Sequence, residues 1–215
     1  MSIQPKFQLA LQLHQRGELA RAQNIYEEIL RGHPQHVESL QMLAFIAGQS
    51  KNPHRALMLM DKALTIDSNN AVLLFNRGVT LQELSQWEAA LTSYSRAIAL
   101  KPDLAEAYSN RSVVQCELHR FAEAILSCDQ AIAIRESFPA AWFNRGNAQV
   151  GLKQSEAALE SYNRAITLKR DYAEAWFNRG NSLRRLDNSP GAAIPDKSSG
   201  SVAGKGTGAA SKVPV

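Results

Sequence analysis

Apolar and polar residues follow one another along the chain with a spacing that predicts paired helices. In one unit, Ala124, Cys128 and Ala131 recur at intervals of three and four residues and therefore share a helix face. Short polar breaks such as Ser85-Gln86 separate two such helices in each unit. No segment shows the two-residue alternation of a strand. The pattern predicts an all-α fold with ten helices and an eleventh at 174–186.

The pattern repeats every 34 residues without an insertion. With Ala105 set as position 1, the units are 3–36, 37–70, 71–104, 105–138 and 139–172, followed by a partial unit, 173–186. Position 20 is alanine in all five complete units, and position 8 is always alanine, serine or glycine. Two facing columns of small residues allow close approach, so we expect the two helices of each unit to pack tightly.

These columns resemble the signature of the tetratricopeptide repeat family, W-x2-L-G-x2-Y followed by A-x3-F, A and P over 34 residues. Trp142, Gly146, Ala158, Tyr162 and Ala165 stand at the matching places. The resemblance implies a right-handed superhelix (solenoid) of antiparallel helix pairs. One departure is consistent: arginine replaces the signature leucine at position 7 of the last four units.

Composition and charge narrow the function classes. A net charge of +4 without a basic block argues against a nucleic-acid partner. No apolar run approaches the roughly 18 residues of a membrane span, and the N-terminus lacks the apolar core of a signal peptide. We therefore expect no membrane partner and a cytoplasmic protein.

Candidate catalytic chemistry is sparse. Two cysteines are too few for a disulfide scaffold or a four-cysteine zinc site, and the five histidines form no H-E-x-x-H pair. Cys128 falls in a core column and is expected to be buried, whereas Cys116 should lie nearer the groove. No nucleophile and base can be recognised together, so we expect no enzyme, no catalytic residue, no metal and no cofactor.

The resemblance implies that the first helix of each unit lines a concave groove through positions 2, 5, 6, 9, 12 and 13. The candidate peptide-binding residues are Phe75, Phe143, Phe177, Asn76, Asn110, Asn144, Asn178, Asn147 and Asn181. An asparagine amide offers two donors and an acceptor, so a row of them can bind the backbone of an extended peptide. The alternative is structural, with the same amides joining neighbouring repeats by hydrogen bonds.

The predicted function is a non-enzymatic protein–protein interaction scaffold that binds extended peptide segments in the groove. The chain also resembles the N-terminal repeat region of bacterial O-linked N-acetylglucosamine transferase-like proteins, whose superhelix carries asparagine at the same position. Under that alternative it is a substrate-recognition arm without its catalytic domain. A family carboxylate clamp is rejected, because only Asn110 of its polar residues is present and its cation positions hold Phe75, Ala140 and Asn144.

The composition changes abruptly near the C-terminus. The segment 187–215 has five glycines, three prolines, five serines and no aromatic residue, which predicts a disordered low-complexity tail. It is either a natural tail or the mark of a truncated or frame-altered longer array. Without its second helix, the sixth unit should expose Trp176 and Leu183, so self-association through this end is expected.

Overall fold

The computed structural model describes residues 2–187. Within this range the chain forms eleven helices and no strand, which confirms the predicted all-α solenoid of antiparallel helix pairs. The helices are α1 (Ile3–Gln15), α2 (Leu19–Gly32), α3 (Val37–Gln49), α4 (Pro53–Ile66), α5 (Ala71–Glu83), α6 (Trp87–Leu100), α7 (Ala105–Glu117), α8 (Phe121–Ile134), α9 (Pro139–Gly151), α10 (Ser155–Leu168) and α11 (Ala173–Asp187). The tail predicted from residue 187 lies, apart from its first residue, outside the described range.

The polar breaks between the two helices of a unit are tight turns. Position 15 has a left-handed backbone in all five units: Gly17, Lys51, Ser85, His119 and Lys153, with φ between 54° and 79°. The next N–H bonds back to the first helix, as when Gln86 N donates to Leu81 O at 2.8 Å. Each unit therefore reverses direction within three residues. Every helix packs on its sequence neighbours, and the first helices of repeats 3 to 6 (α5, α7, α9 and α11) also contact one another in succession.

The two columns of small residues lie buried between the paired helices. Ala124 and Ala158 are fully buried, as are the other position-20 alanines. At position 8, a Cβ on Gly146 would lie only 2.5 Å from the ring of the buried Tyr162. Small side chains are therefore a steric requirement of the helix pair, as the sequence predicted.

Three of the four arginines at position 7, Arg77, Arg145 and Arg179, connect successive repeats. The fourth, Arg111, bonds to Ser127 of its own repeat. Arg77 Nε donates to Asp61 Oδ1 of the preceding repeat at 2.6 Å, and Nη1 donates to Ser93 Oγ of its own repeat at 2.7 Å. Arg145 makes both bonds at the same repeat positions, at 2.8 and 3.0 Å. Because the guanidinium is half-buried, these charge-assisted bonds hold three helices together.

The helix α11, the last among the described residues, carries exposed apolar side chains. Trp176 is 50%, Phe177 70% and Leu183 39% exposed. We expect this end to mediate concentration-dependent self-association, because apolar surface of this kind is buried by the next helix in longer arrays. Trp176→Ser or Leu183→Lys should shift the protein toward monomer in sedimentation velocity. A wild-type monomer at high micromolar concentration would contradict this expectation.

Candidate peptide-binding groove

The asparagines at position 6, which the sequence groups as one binding column, do not share one environment. Asn144 Nδ2 donates to the carbonyl oxygen of Ser109 at 3.3 Å and to its hydroxyl at 3.1 Å. Asn178 Nδ2 donates to Asn147 Oδ1 at 2.9 Å. These bonds join successive repeats, so the structural alternative describes both residues. Peptide binding by the other members of the column stays a prediction.

Tyrosines at position 24 explain part of this difference. Asn147 Oδ1 accepts a bond from the Tyr162 hydroxyl at 2.8 Å as well as the one from Asn178. Burial raises the pKa of Tyr162 to about 12, and a hydrogen bond with Asn178 opposes that shift. Burial likewise raises the pKa of Tyr94, against a hydrogen bond with Asn110 of the next repeat. The Tyr94 hydroxyl also donates to Gln82 Oε1 at 3.0 Å. Each of these two buried hydroxyls therefore has a partner on the first helix of its own repeat as well as the position-6 asparagine of the next repeat.

The predicted aromatic residues at position 5 also contribute to packing. Phe75 and Phe143 are half-buried. The ring centroid of Phe75 lies 5.9 Å from that of Tyr94, and the ring centroid of Phe143 lies 5.9 Å from that of Tyr162. Phe177 is mostly exposed because α11 has no following helix among the described residues. Asn181, the ninth candidate, accepts a bond from Arg184 Nη2 at 3.0 Å. The candidates thus lie on the first helices, but most of them contact other groups of the array.

Repeats 1 to 3 break the tyrosine–asparagine pairing twice, in opposite senses. Met42 occupies position 6 of the second repeat, and the buried Tyr26 hydroxyl has no hydrogen-bond partner within the described residues. The next boundary has the asparagine without the tyrosine. There Asn76 follows a repeat with Met60 at position 24 and Phe45 at position 9, neither of which offers an oxygen to accept its N–H groups.

Asn76 lies instead at a pocket of about 210 Å³ between α3 and α5. Its apolar wall is formed by Phe45, Met60, Leu73 and Val79. Phe45 is 51% exposed, so the pocket opens to solvent on the side of the first helices. Met60 stands at this pocket where the preceding and following repeats have the buried Tyr26 and Tyr94.

A second pocket, of about 360 Å³, adjoins the first between α5 and α7. Val79 and Glu83 line both pockets, so the two are neighbours on either side of α5. The second pocket is more polar, because its remaining lining residues are Gln82, Trp87, Asn110, Val113 and Glu117. The sequence interpretation did not single out Phe45, Glu83 or Glu117, although positions 9 and 13 were among those expected to face the groove.

Among residues 2–187, no three histidine, cysteine or acidic side chains form a group that could hold a metal ion. Cys128 is buried, as predicted, and Cys116 is half-buried. Burial raises the pKa of the Cys116 thiol to about 11 and that of Cys128 to about 12, so little reactive thiolate is present at neutral pH. Within the described helices none is long and apolar enough to cross a membrane.

Family models connect this architecture with known proteins. A model described as TPR repeat matches 83–118 and 151–187, and one described as Tetratricopeptide repeat matches 59–92. The fold is a tetratricopeptide-repeat solenoid. The family resemblance drawn from the columns is thereby confirmed at the level of the repeat.

Solved tetratricopeptide-repeat structures share the fold over most of the chain. YrrB, described as a TPR protein with an unusual peptide-binding site, is 22% identical with a TM-score of 0.75, over 82% of this chain and 91% of that chain. MamA is 22% identical with a TM-score of 0.73, over 80% and 94%. The first TPR of Spaghetti (RPAP3), bound to the HSP90 peptide SRMEEVD, is 25% identical with a TM-score of 0.53, over 54% and 92%.

The similarity to known proteins is found at the level of the repeat. The search of curated proteins finds no match to the chain. The resemblance to O-linked N-acetylglucosamine transferase-like proteins receives no support from the family models or from the similar structures named above. The tetratricopeptide repeat is therefore the level of relationship on which a function can be argued.

Proposed function

We propose that this tetratricopeptide-repeat protein is a non-enzymatic interaction scaffold that binds extended peptide segments of a protein partner in its concave groove. The observation that carries the proposal is the open apolar pocket between α3 and α5, with the Asn76 amide at its wall. Peptide binding in two similar structures, YrrB and the first TPR of Spaghetti, supports it. A cytoplasmic location remains a prediction, and no observation favours the glycosyltransferase arm.

The chemistry of the pocket suits a peptide. A bulky apolar side chain can fill the space bounded by Phe45, Met60 and Val79, and its burial supplies the driving force. The adjacent Asn76 amide can donate to a peptide carbonyl and accept from a peptide N–H. Contacts of this kind recognise the main chain and one anchoring side chain, which is what an extended segment presents.

Only some of the nine candidate residues are proposed to contact the peptide. Asn76 lines the α3–α5 pocket and is proposed to contact the peptide directly. Asn110 lines the α5–α7 pocket and is proposed to contact the peptide while it also bonds to Tyr94 of the preceding repeat. Asn144, Asn147 and Asn178 are proposed to act mainly by joining repeats, because they bond to other side or main chains. Phe75 and Phe143 support the groove wall, and Phe177 and Asn181 lie beyond the two pockets on α11.

Asn76 and Asn144 provide a matched pair for a test. Asn76→Ala should weaken peptide binding by about 0.5–1.5 kcal/mol, the usual net value of a neutral hydrogen bond, without lowering stability. Asn144→Ala should lower stability instead, because it removes bonds to Ser109. Both changes bring the same gain in helix propensity, so the difference in their unfolding free energies reports the inter-repeat bond.

The measurements are calorimetric binding to a partner segment recovered by pulldown and peptide mapping, and urea denaturation of both variants. We expect weakened binding for Asn76→Ala alone, and a lower denaturation midpoint for Asn144→Ala alone. If Asn76→Ala unfolds at the wild-type midpoint and binds the segment as tightly as wild type, the groove pocket is not the peptide site.

A further inference from the structure

The charge of the concave face identifies the kind of segment that fits it. We propose that the bound segment places a lysine or arginine side chain in the α5–α7 pocket, beside a bulky apolar residue in the α3–α5 pocket. This inference rests on the proposed function and specifies its partner. It predicts a basic and apolar segment, not an acidic one.

The groove of repeats 2–5 is acidic although the chain as a whole is not. Over repeats 2–5, the six groove positions carry four glutamates and neither lysine nor arginine. The glutamates are Glu38, Glu83, Glu106 and Glu117. The whole chain has a net charge of +4, and Arg184 and Arg185 stand at positions 12 and 13 of the sixth unit, so this negative charge is a local property of repeats 2–5. Such a surface attracts cationic segments and repels anionic ones.

Two of the four carboxylates are free to meet a partner. Glu106 accepts a bond from Arg135 at 2.7 Å, and Glu38 lies 3.6 Å from the imidazole of His36. Neither Glu83 nor Glu117 takes part in the ion pairs found among residues 2–187, and both are exposed. Their charge is therefore not cancelled by the array itself.

These two carboxylates lie at the same pocket. Glu83 on α5 and Glu117 on α7 line it together with the amides of Gln82 and Asn110 and the indole of Trp87. An ammonium or guanidinium group entering the pocket meets two carboxylates, amide oxygens and an aromatic ring. Charge-assisted hydrogen bonds and cation–π contact all favour a cation there.

The apolar pocket next door fixes the second element of the segment. Val79 and Glu83 line both pockets, so a cation bound at Glu83 lies directly beside the space bounded by Phe45 and Met60. One extended segment can fill both places with side chains a few residues apart. The same geometry disfavours nucleic acid in this groove, because phosphates would face uncompensated carboxylates.

Three synthetic peptides of equal length test the inference by fluorescence anisotropy. The first contains leucine, lysine and serine; the second has glutamate in place of lysine; the third has serine in place of leucine. The full-length protein should bind the first about tenfold more tightly than either of the others at low ionic strength. Added salt should reduce the advantage over the glutamate peptide, because exposed charges are screened.

Variants that remove the charge of the two glutamates test where the lysine of the peptide binds. The double variant Glu83→Gln/Glu117→Gln should lose about tenfold in affinity for the lysine peptide, with an unchanged circular dichroism spectrum and melting temperature. Glu160→Gln, on the exposed surface of α10 and outside both pockets, changes the net charge in the same direction and serves as the control. It should leave affinity for the lysine peptide unchanged.

The outcomes separate the inference from the function beneath it. Equal binding of the lysine and glutamate peptides, no measurable binding of any peptide, or wild-type affinity in the double variant overturns the inference. The neutral change Phe45→Ser tests the groove itself, because it removes the exposed apolar wall without altering charge. If Phe45→Ser and Asn76→Ala each bind the segment as tightly as the wild type does, the proposed function fails as well.

Discussion

Substituting leucine for Ala124 is expected to lower the free energy of unfolding by about 1–3 kcal/mol, the usual cost of forcing extra methylenes into a packed core. Ala124 is fully buried at position 20, where α8 faces α7. The added side chain has no space to enter, so the two helices must separate or distort. Urea denaturation followed by circular dichroism measures the change.

Ala133 provides a control on the same helix. It is exposed, so Ala133→Leu should change the unfolding free energy by less than about 0.5 kcal/mol. In an array whose repeats contact only their neighbours, damage from Ala124→Leu should begin locally. Hydrogen exchange should therefore accelerate first in α7 and α8. An unchanged denaturation midpoint for Ala124→Leu would show that position 20 tolerates bulk.

Gly146→Ala is expected to destabilise the protein by about 1–2 kcal/mol, although alanine is the better helix former by roughly 1 kcal/mol. Its Cβ would lie 2.5 Å from the Tyr162 ring. That ring is buried, packs on Phe143 and is held by the hydrogen bond to Asn147, so it cannot move aside cheaply. Steric overlap therefore outweighs the gain in propensity.

Gly180 is the matched control, because it occupies the same repeat position in α11 with nothing within 4 Å of an added Cβ. Gly180→Ala should be neutral or stabilising by up to about 1 kcal/mol. In thermal denaturation, Gly146→Ala should lower the melting temperature, whereas Gly180→Ala should raise it or leave it unchanged. Destabilisation by both would mean that backbone freedom, not ring contact, sets the glycine requirement.

The helices and their packing could be predicted from the sequence because each repeat position occurs several times in the chain. One small residue at position 8 proves little, whereas six in succession define a contact surface. The sequence placed the eleventh helix at 174–186 and the structure places it at Ala173–Asp187. The position-7 arginines were recognised as a departure, but their partners, such as Asp61 for Arg77, lie on other helices.

The binding residues could not be settled in the same way. Asn76 and Asn144 occupy one repeat position, yet one lines a pocket and the other bonds to Ser109. The difference lies in what the preceding repeat offers the amide. The residues at that one position cannot show it, because the acceptor of Asn144, Ser109, lies on another helix, and Gln41 stands at the equivalent place before Asn76.

The residues joined by the inter-repeat bonds are close to one another in the sequence. The widest side-chain hydrogen bond among residues 2–187 joins Asn144 to Ser109, 35 residues away. Forming such contacts requires the closure of loops only about one repeat long, which carries a small entropic cost. We therefore expect rapid folding for a chain of this size, starting from any adjacent pair of helices. During synthesis, each repeat can consolidate as soon as the next has left the ribosome.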